Sequence, residues 1–356
     1  ASHNPPRYNG VKLVGADGVE LARDRLEQVV AVMEGEPARA SWESLGGLAT
    51  VEGGPENYVT ALVEALDVDA IADADLTVAV DPGHGAASAT SPRLFRELGC
   101  SVLTVNAQPD GRFPGRNPEP VAANLADLQR LVRTSDADLG VAHDGDGDRA
   151  IFVDETGDVV EGDAALAALA AAELGPGDAA VTAVNASQRL VDVANAAGAD
   201  LHLTPIGSTY LITEIRRLQA DGTAVPIAGE GNGGIIFPGY RIARDGAYTA
   251  GRFCELVAEE PASEVVADFD GYHNVRRNLS YADEAERTAM LSAIERAAEE
   301  ATADLDTTDG YRLDYGDGWV LARPSGTEPV IRVYAEARNR ERATKLAERF
   351  TGAIRS

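Results

Sequence analysis

Residues 138–155 read DLGVAHDGDGDRAIFVDE. The stretch opens as a buried strand, breaks into an acidic loop and resumes as a hairpin around ETGD at 155–158. Asp144, Asp146 and Asp148 stand at alternate positions, with Gly145 and Gly147 between them. In an extended turn such positions project to one side, and glycine lets the backbone curl until the three carboxylates converge. Gathered carboxylates repel one another without a cation, so the pattern implies a hard divalent metal. A calcium loop between helices is the rival reading, since Glu155 falls at its twelfth position and Ile151 at its eighth. Its sixth position, where the sharp turn needs glycine, is Arg149, and the flanks are strand-like, so that reading is rejected. A merely solvated acidic turn is the other alternative. Three acids directly after a buried strand argue against it, because α/β sheets place their sites at strand C-terminal ends.

The rhythm continues on both sides. LTVAVDPGHGAAS at 76–88 reads as strand, glycine loop and helix start; CSVLTVNA at 100–107 is the next strand and 121–133 the next helix. After Asp163 the pattern restarts with an alanine-rich helix. Strand AAVTAVN, helix SQRLVDVANAAG, strand LHLTPIG and helix STYLITEIRRLQADG follow, and strand AVPIA then runs into GEGNGG at 229–234. Two successive βα blocks of similar size imply two related α/β units. Upstream, 11–18 reads as a short strand and turn, 21–35 as an amphipathic helix and the glycine-rich 41–54 as a linker. From Phe269 the texture changes: YHNVRRNLSY, GYRLDYGDGWVLARPSG and VIRVYAEA are strands, with helices at 282–302 and from Asn339. That is an α+β unit with an antiparallel sheet.

The 356 residues exceed one ordinary core, so two to four domains are expected. The formal net charge is −27, and Lys12 and Lys345 are the only lysines among 31 basic residues. Acid spread along the whole chain reads as a solvated surface suited to concentrated salt, hence a halophilic host. It argues against nucleic acid or an anionic membrane as partner. Cys100 and Cys254 make no CxxC pair, and there is no membrane-length apolar run, so a cytoplasmic location is expected.

Two further loops carry chemistry. RPSGTEPVIRVY at 323–334 offers Arg323, Ser325, Gly326, Thr327 and Arg332. Hydroxyls and backbone N–H groups around a glycine cup a phosphate, and arginine clamps it bidentately. A polar hairpin turn is the bland alternative, and two arginines in so acidic a chain favour the anion. In GEGNGG, Glu230 and Asn232 offer the donors and acceptors that suit sugar hydroxyls, although alone the loop is a plain glycine turn.

With the opening ASHNPPRYNGVKL, these stretches resemble, in order, the α-D-phosphohexomutases, which include phosphoglucomutase, phosphomannomutase and phosphoglucosamine mutase. The resemblance runs from residue 1 to the C-terminus. It implies successive three-layer α/β domains around a cleft and a C-terminal α+β domain. The expected units are 1–47 (remainder of domain one, with a phosphoserine loop), 48–163 (metal loop), 164–265 (sugar loop) and 266–356 (phosphate loop). It implies interconversion of hexose 6-phosphate and hexose 1-phosphate through a phosphoserine at Ser2 and a hexose 1,6-bisphosphate, as intermediate and activator. One Mg²⁺ is then held by Asp144, Asp146, Asp148 and a phosphoserine oxygen of Ser2. Arg149 holds the phosphoserine, while His3 and Lys12 share acid/base or phosphate contacts, with the division between them open. Glu230 and Asn232 read sugar hydroxyls. Arg323, Ser325, Gly326 and Thr327 hold the distal phosphate, and Arg332 is open between hairpin and ligand.

Two motif departures are visible: Gly147 stands where the family often has a bulky residue, and GEGNGG takes a form resembling archaeal members. The hexose is left open among glucose, mannose and glucosamine. The resemblance also implies a further N-terminal part of domain one, supplied in cis or in trans, without which turnover is expected to be poor. The alternative expectation is a homologue that binds phosphosugar and metal without turnover.

Overall fold

A computed structural model describes residues 4–36, 38–325 and 328–355. The N-terminal stretch forms α1 (Arg23–Glu34), as its apolar spacing predicts. None of its residues is buried, and Val30, Val32 and Met33 are exposed. The strand expected at 11–18 is absent: among the described residues it makes only one bridge, Val14 to Glu20, across a turn. The expected linker at 41–54 ends in a helix start, because Gly53, in the left-handed region at φ 77°, and Pro55 open α2 (Gly54–Ala65). α3 (Val68–Asp73) follows, capped by the Asp67 carboxylate on the Ala70 N–H.

The first sheet takes β1 (Thr77–Asp81), then β2 (Ser101–Thr104) after α4 (Ser91–Glu97), then β3 (Leu139–Ala142) after α5 (Ala126–Ser135), and β4 (Ile151–Val153). Its order is β2-β1-β3-β4, parallel except for β4. After α6 (Gly162–Glu173) the plan repeats with β5 (Ala179–Ala183), α7 (Gln188–Ala197), β6 (Asp200–Thr204), α8 (Ser208–Ala220) and β7 (Ile227–Glu230). β8 (Gly234–Phe237) and β9 (Arg241–Arg244) extend it antiparallel, giving the order β6-β5-β7-β8-β9. The parallel crossovers are helical, as parallel pairing requires. The acidic loop leaves β3 and returns as β4; GEGNGG leaves β7 and returns as β8. The two loops therefore occupy the same topological place in two sheets.

Then come α9 (Gly246–Val257) and α10 (Ala262–Ala267); the expected boundary at 265/266 falls inside α10. α9 is not among the elements expected from the sequence; nine of its twelve residues are buried, and Arg252, Glu255 and Leu256 form its narrow less-buried side. At Gly251 a β-carbon would sit 2.3 Å from Leu66 Cδ1, so glycine lets this helix lie directly against the first sheet's unit. Phe253 of α9 stacks on Phe152 of β4 at 4.0 Å between centroids, and one continuous apolar cluster spans both units.

The last unit has β10 (His273–Ser280), α11 (Glu284–Glu299), β11 (Asp304–Asp306), β12 (Tyr311–Asp314), β13 (Gly318–Pro324), β14 (Val330–Ala337) and α12 (Arg340–Arg355). Its sheet, β10-β14-β13-β12-β11, is antiparallel throughout and has a core of its own with α11 and α12. The fold is thus α/β with an α+β C-terminal unit, as the sequence implied. Among the described residues no helix is long and apolar enough to cross a membrane. Cys100 and Cys254 are buried and unpaired, and burial pushes both thiols up, Cys100 to about 11.

Candidate active site where the sheet loops meet

β3 is buried along its whole length and delivers His143 to the loop. The His143 ring spans the loop's two ends, with Nδ1 2.8 Å from the Arg149 carbonyl and Nε2 2.8 Å from Ser91 Oγ. Burial lowers the ring's pKa, so it is a neutral imidazole that donates through Nδ1–H and accepts at Nε2. Below it, Arg116 is almost wholly buried. It donates to Asp81 Oδ2 (2.8 Å) and to the carbonyls of His143 (2.6 Å), Asn117 (3.0 Å) and Pro118 (3.1 Å). Gly147 adopts φ 77°, a left-handed conformation that favours glycine, and a β-carbon there would meet Ala87 Cβ at 3.1 Å. The departure at this position is thus a backbone requirement of this chain.

The outcome is convergence: Asp144, Asp146 and Asp148 each offer a carboxylate oxygen within 4.8 Å of the others. Asp144 is buried, the Asp148 side chain is 11% exposed and that of Asp146 41%. Cations surround them. Lys12 Nζ lies 2.6 Å from Asp148 Oδ2 and 3.5 Å from Asp146 Oδ2. Arg149 Nε is 3.7 Å from Asp144 Oδ2 and 4.0 Å from Asp148 Oδ1. Arg244, from the end of β9, donates to Asp148 Oδ2 at 2.6 Å. Burial pushes the Asp148 carboxyl up, but Arg244, Lys12 and Arg149 outweigh it and hold it below the usual carboxylate range. Asp148 Oδ1 is buried with no hydrogen-bond partner. Hard oxygens at this spacing, one of them unsatisfied, fit a small divalent cation.

A cavity of about 490 Å³ opens beside this loop, lined among others by Asn4, Tyr8, Lys12, Gly145 and Asp146. Ser2 and His3 lie outside the described residues; Asn4, two positions on from Ser2, lines the same cavity as Asp146.

The GEGNGG loop abuts the acidic one. Ala150 N–H donates to the Gly233 carbonyl (3.0 Å) and Gly246 N–H to the Gly147 carbonyl (3.2 Å). A β-carbon at Gly246 would lie 2.3 Å from the Arg149 carbonyl oxygen, so α9 begins in backbone contact with the acidic loop. Glu230 is 7% exposed and 4.0 Å from Arg244. Asn232 closes its own loop: its Nδ2 donates to Glu230 (3.4 Å) and its Oδ1 accepts from Gly234 N–H (3.0 Å). Asn232 and Arg149 line a shared cavity of about 410 Å³.

The fourth loop stands apart. Arg323 Nε is 2.9 Å from Asp309 Oδ2, which also accepts from Ile206 N–H (3.1 Å), tying this hairpin to the unit before it. Ser325 Oγ accepts from Glu328 N–H at 3.3 Å, and Arg332 donates to Glu328. Gly326 and Thr327 lie outside the described residues. Arg244, His143, Arg116 and Asp81 are the site's supports that sequence reasoning missed. Only His143, adjoining the first aspartate, carried any local signal.

Comparison with known proteins gives one consistent picture. Models of phosphoglucomutase/phosphomannomutase match in chain order: alpha/beta/alpha domain I at 1–40, domain II at 56–157, domain III at 161–272 and the C-terminal domain at 277–353. A "Phosphoglucomutase/phosphomannomutase" of Thermococcus kodakarensis is 40% identical over 353 residues, covering 98% of this chain and 76% of that one. A "Probable phosphoglucosamine mutase" of Methanopyrus kandleri is 38% identical over 360 residues, covering 100% and 77%. A phosphoglucomutase/phosphomannomutase family protein of Burkholderia thailandensis has a solved structure with a TM-score of 0.82 at 25% identity, covering 99% and 74%.

Proposed function

The chain belongs to the phosphoglucomutase/phosphomannomutase family, and from that membership we propose that Ser2 is the phosphoryl carrier of a phosphohexomutase whose remaining loops hold metal, sugar and distal phosphate. The chain is a phosphohexomutase, an isomerase-class phosphotransferase that interconverts hexose 6-phosphates and hexose 1-phosphates.

In the proposed cycle the phosphoserine Oγ–P bond breaks as a bond forms from phosphorus to the free sugar hydroxyl. The hydroxyl proton passes to His3 or, once the Lys12 ammonium has given up its own proton, to Lys12, the other then contacting the phosphate. The resulting hexose 1,6-bisphosphate turns over in the cleft, and Ser2 takes back the other phosphoryl group as the proton returns. Asp144, Asp146 and Asp148, with a phosphoserine oxygen, are the ligands for Mg²⁺, which supplies positive charge to offset the phosphoryl oxygens. Arg149 holds the phosphoserine from the loop's far end. Glu230 and Asn232 read hydroxyls, and Arg323, Ser325, Gly326 and Thr327 grip the phosphate that is not reacting, so that binding energy positions the reacting one. The division near 47/48, 163/164 and 265/266, whose last two points fall inside α6 and α10, assigns one loop to each unit.

The observation that carries this reading is the unsatisfied Asp148 Oδ1 in a carboxylate triad that shares a cavity wall with Asn4. The test is intact mass of the full-length protein after exposure to glucose 1,6-bisphosphate. One added phosphate is expected, and none on Ser2→Ala; a phosphate retained by Ser2→Ala refutes the carrier. For the sugar loop, Glu230→Gln is expected to raise KM for hexose phosphates and leave inorganic phosphate binding unchanged. Equal weakening of both makes the loop structural.

A further inference from the structure

The Asp148 carboxylate is divided between its two oxygens. Oδ2 accepts from Arg244 Nη2 and from Lys12 Nζ, both at 2.6 Å, while Oδ1 is buried and bonded to no donor. The two donors are unequal: the Lys12 side chain is 48% exposed and that of Arg244 only 11%. Arg244 is also set in place by backbone. Its stem passes over Gly234, where a β-carbon would lie 2.6 Å from Arg244 Cδ, so the second glycine of the GG pair is the channel through which the guanidinium reaches the acidic loop. The ladder between β8 and β9 slips at Ile236/Phe237, bringing Arg244 opposite Ile236. The other end of the guanidinium is 4.0 Å from Glu230, so it is pinned between two carboxylates of different sheets.

We propose that Arg244 is a positioning residue that sets the ion selectivity of the site. By holding Oδ2, it leaves Asp148 a single free oxygen for the cation. Mg²⁺ requires near-octahedral, one-oxygen ligands, whereas Ca²⁺ takes six to eight oxygens and readily uses both oxygens of a carboxylate. A carboxylate held to one oxygen therefore discriminates against the larger ion. This rests on the triad being the divalent-metal site. Removing Arg244 also removes a positive charge, but both ions carry the same charge, so that effect cancels in the ratio of their affinities and the geometric effect remains.

The experiment is displacement of Mn²⁺, read by its electron paramagnetic resonance signal, with Mg²⁺ and Ca²⁺ separately. It uses the wild-type protein and the Arg244→Ala, Arg244→Lys and Lys12→Ala variants, each first shown folded by circular dichroism. Arg244→Met keeps the packed stem if the alanine variant melts. The ratio Kd(Ca²⁺)/Kd(Mg²⁺) is expected to fall about tenfold in Arg244→Ala or Arg244→Met, in line with the effect of outer partners on metal sites. Arg244→Lys should recover part of it, and Lys12→Ala should move it less. An unchanged ratio in folded Arg244 variants overturns the proposal, as does a larger shift from Lys12→Ala. If the wild-type protein binds none of the ions, it is the metal-site reading that falls, and this proposal with it.

Discussion

Two junctions hold the site's loops at their stations, and they are built of different material. Between the first and second sheets the contact is mainly carbon and backbone, with the Arg244–Asp148 ion pair added to it. Phe152 stacks on Phe253, Leu66 fills the space over Gly251, and the acidic loop is bonded by main chain to the Gly233 carbonyl and to the Gly246 N–H. Between the second and third sheets a small apolar cluster, Val184 with Trp319 and Leu321, is joined by a network around a buried acidic side chain. Glu336, 0% exposed, accepts from Gln188 N–H at the start of α7 (2.6 Å), from Trp319 Nε1 (3.2 Å) and from Asn274 Nδ2 (3.0 Å). Nearby, buried Arg189 pairs with Glu161 (2.7 Å), and Tyr272 and Arg338 both bond Asp192. Apolar packing is non-directional and is lost only with its area, whereas a buried polar junction depends on every partner being present. The acidic and GEGNGG loops thus rest on one continuous apolar cluster, while the hairpin at 323–334 is joined to it by a smaller cluster and directional bonds.

The largest effect is expected at the apolar junction. Phe253→Ala should cost about 3–5 kcal/mol by cavity formation. It should also weaken Mn²⁺ binding, because α9 begins in backbone contact with the acidic loop. Urea denaturation with parallel Mn²⁺ titration checks both; a destabilised variant with unaltered metal binding would separate the core from the loop.

Glu336→Ala should cost less, about 1–3 kcal/mol, by leaving buried donors on Gln188, Trp319 and Asn274 without an acceptor. Here Mn²⁺ affinity is expected to stay at the wild-type value while inorganic phosphate binding weakens. Calorimetry with phosphate alone decides, and the reverse pattern would mean that the two junctions are not independent.

The pH-dependent case is Asp163, at the start of α6. Burial pushes its carboxyl up to about 7, Glu336 adds to the rise and Arg189 opposes it. A carboxyl with a raised folded pKa holds its proton more tightly in the folded state, so folded stability falls as pH rises from the ordinary carboxylate range to about 7. Asp163→Asn removes that dependence. The variant should melt above wild type at pH 8 by several degrees and show a flatter melting profile between about pH 5 and pH 8. Equal profiles for the two proteins would exclude Asp163 as the source.

What the sequence by itself determined is what is local. Alternate aspartates and glycines at 144–148 specify a converging loop because adjacent backbone geometry alone decides where those side chains go. The βα rhythm before and after it, and the change to hairpins beyond Phe269, were legible for the same reason: period and turn chemistry act within a few residues. α2 was lost behind its glycine-rich approach, and α9 because Gly246 and Gly251 are weak helix formers and only Arg252 and Glu255 mark a polar side. What only the tertiary structure decided is which distant groups meet. Lys12 and Arg244 reach Asp148 from 136 and 96 residues away, and Arg116 supports the loop through Asp81, 35 residues upstream of it. No local pattern records such pairs. They exist because two sheets of like topology close on each other, and glycines at 234 and 246 let backbone and guanidinium pass where any side chain would collide.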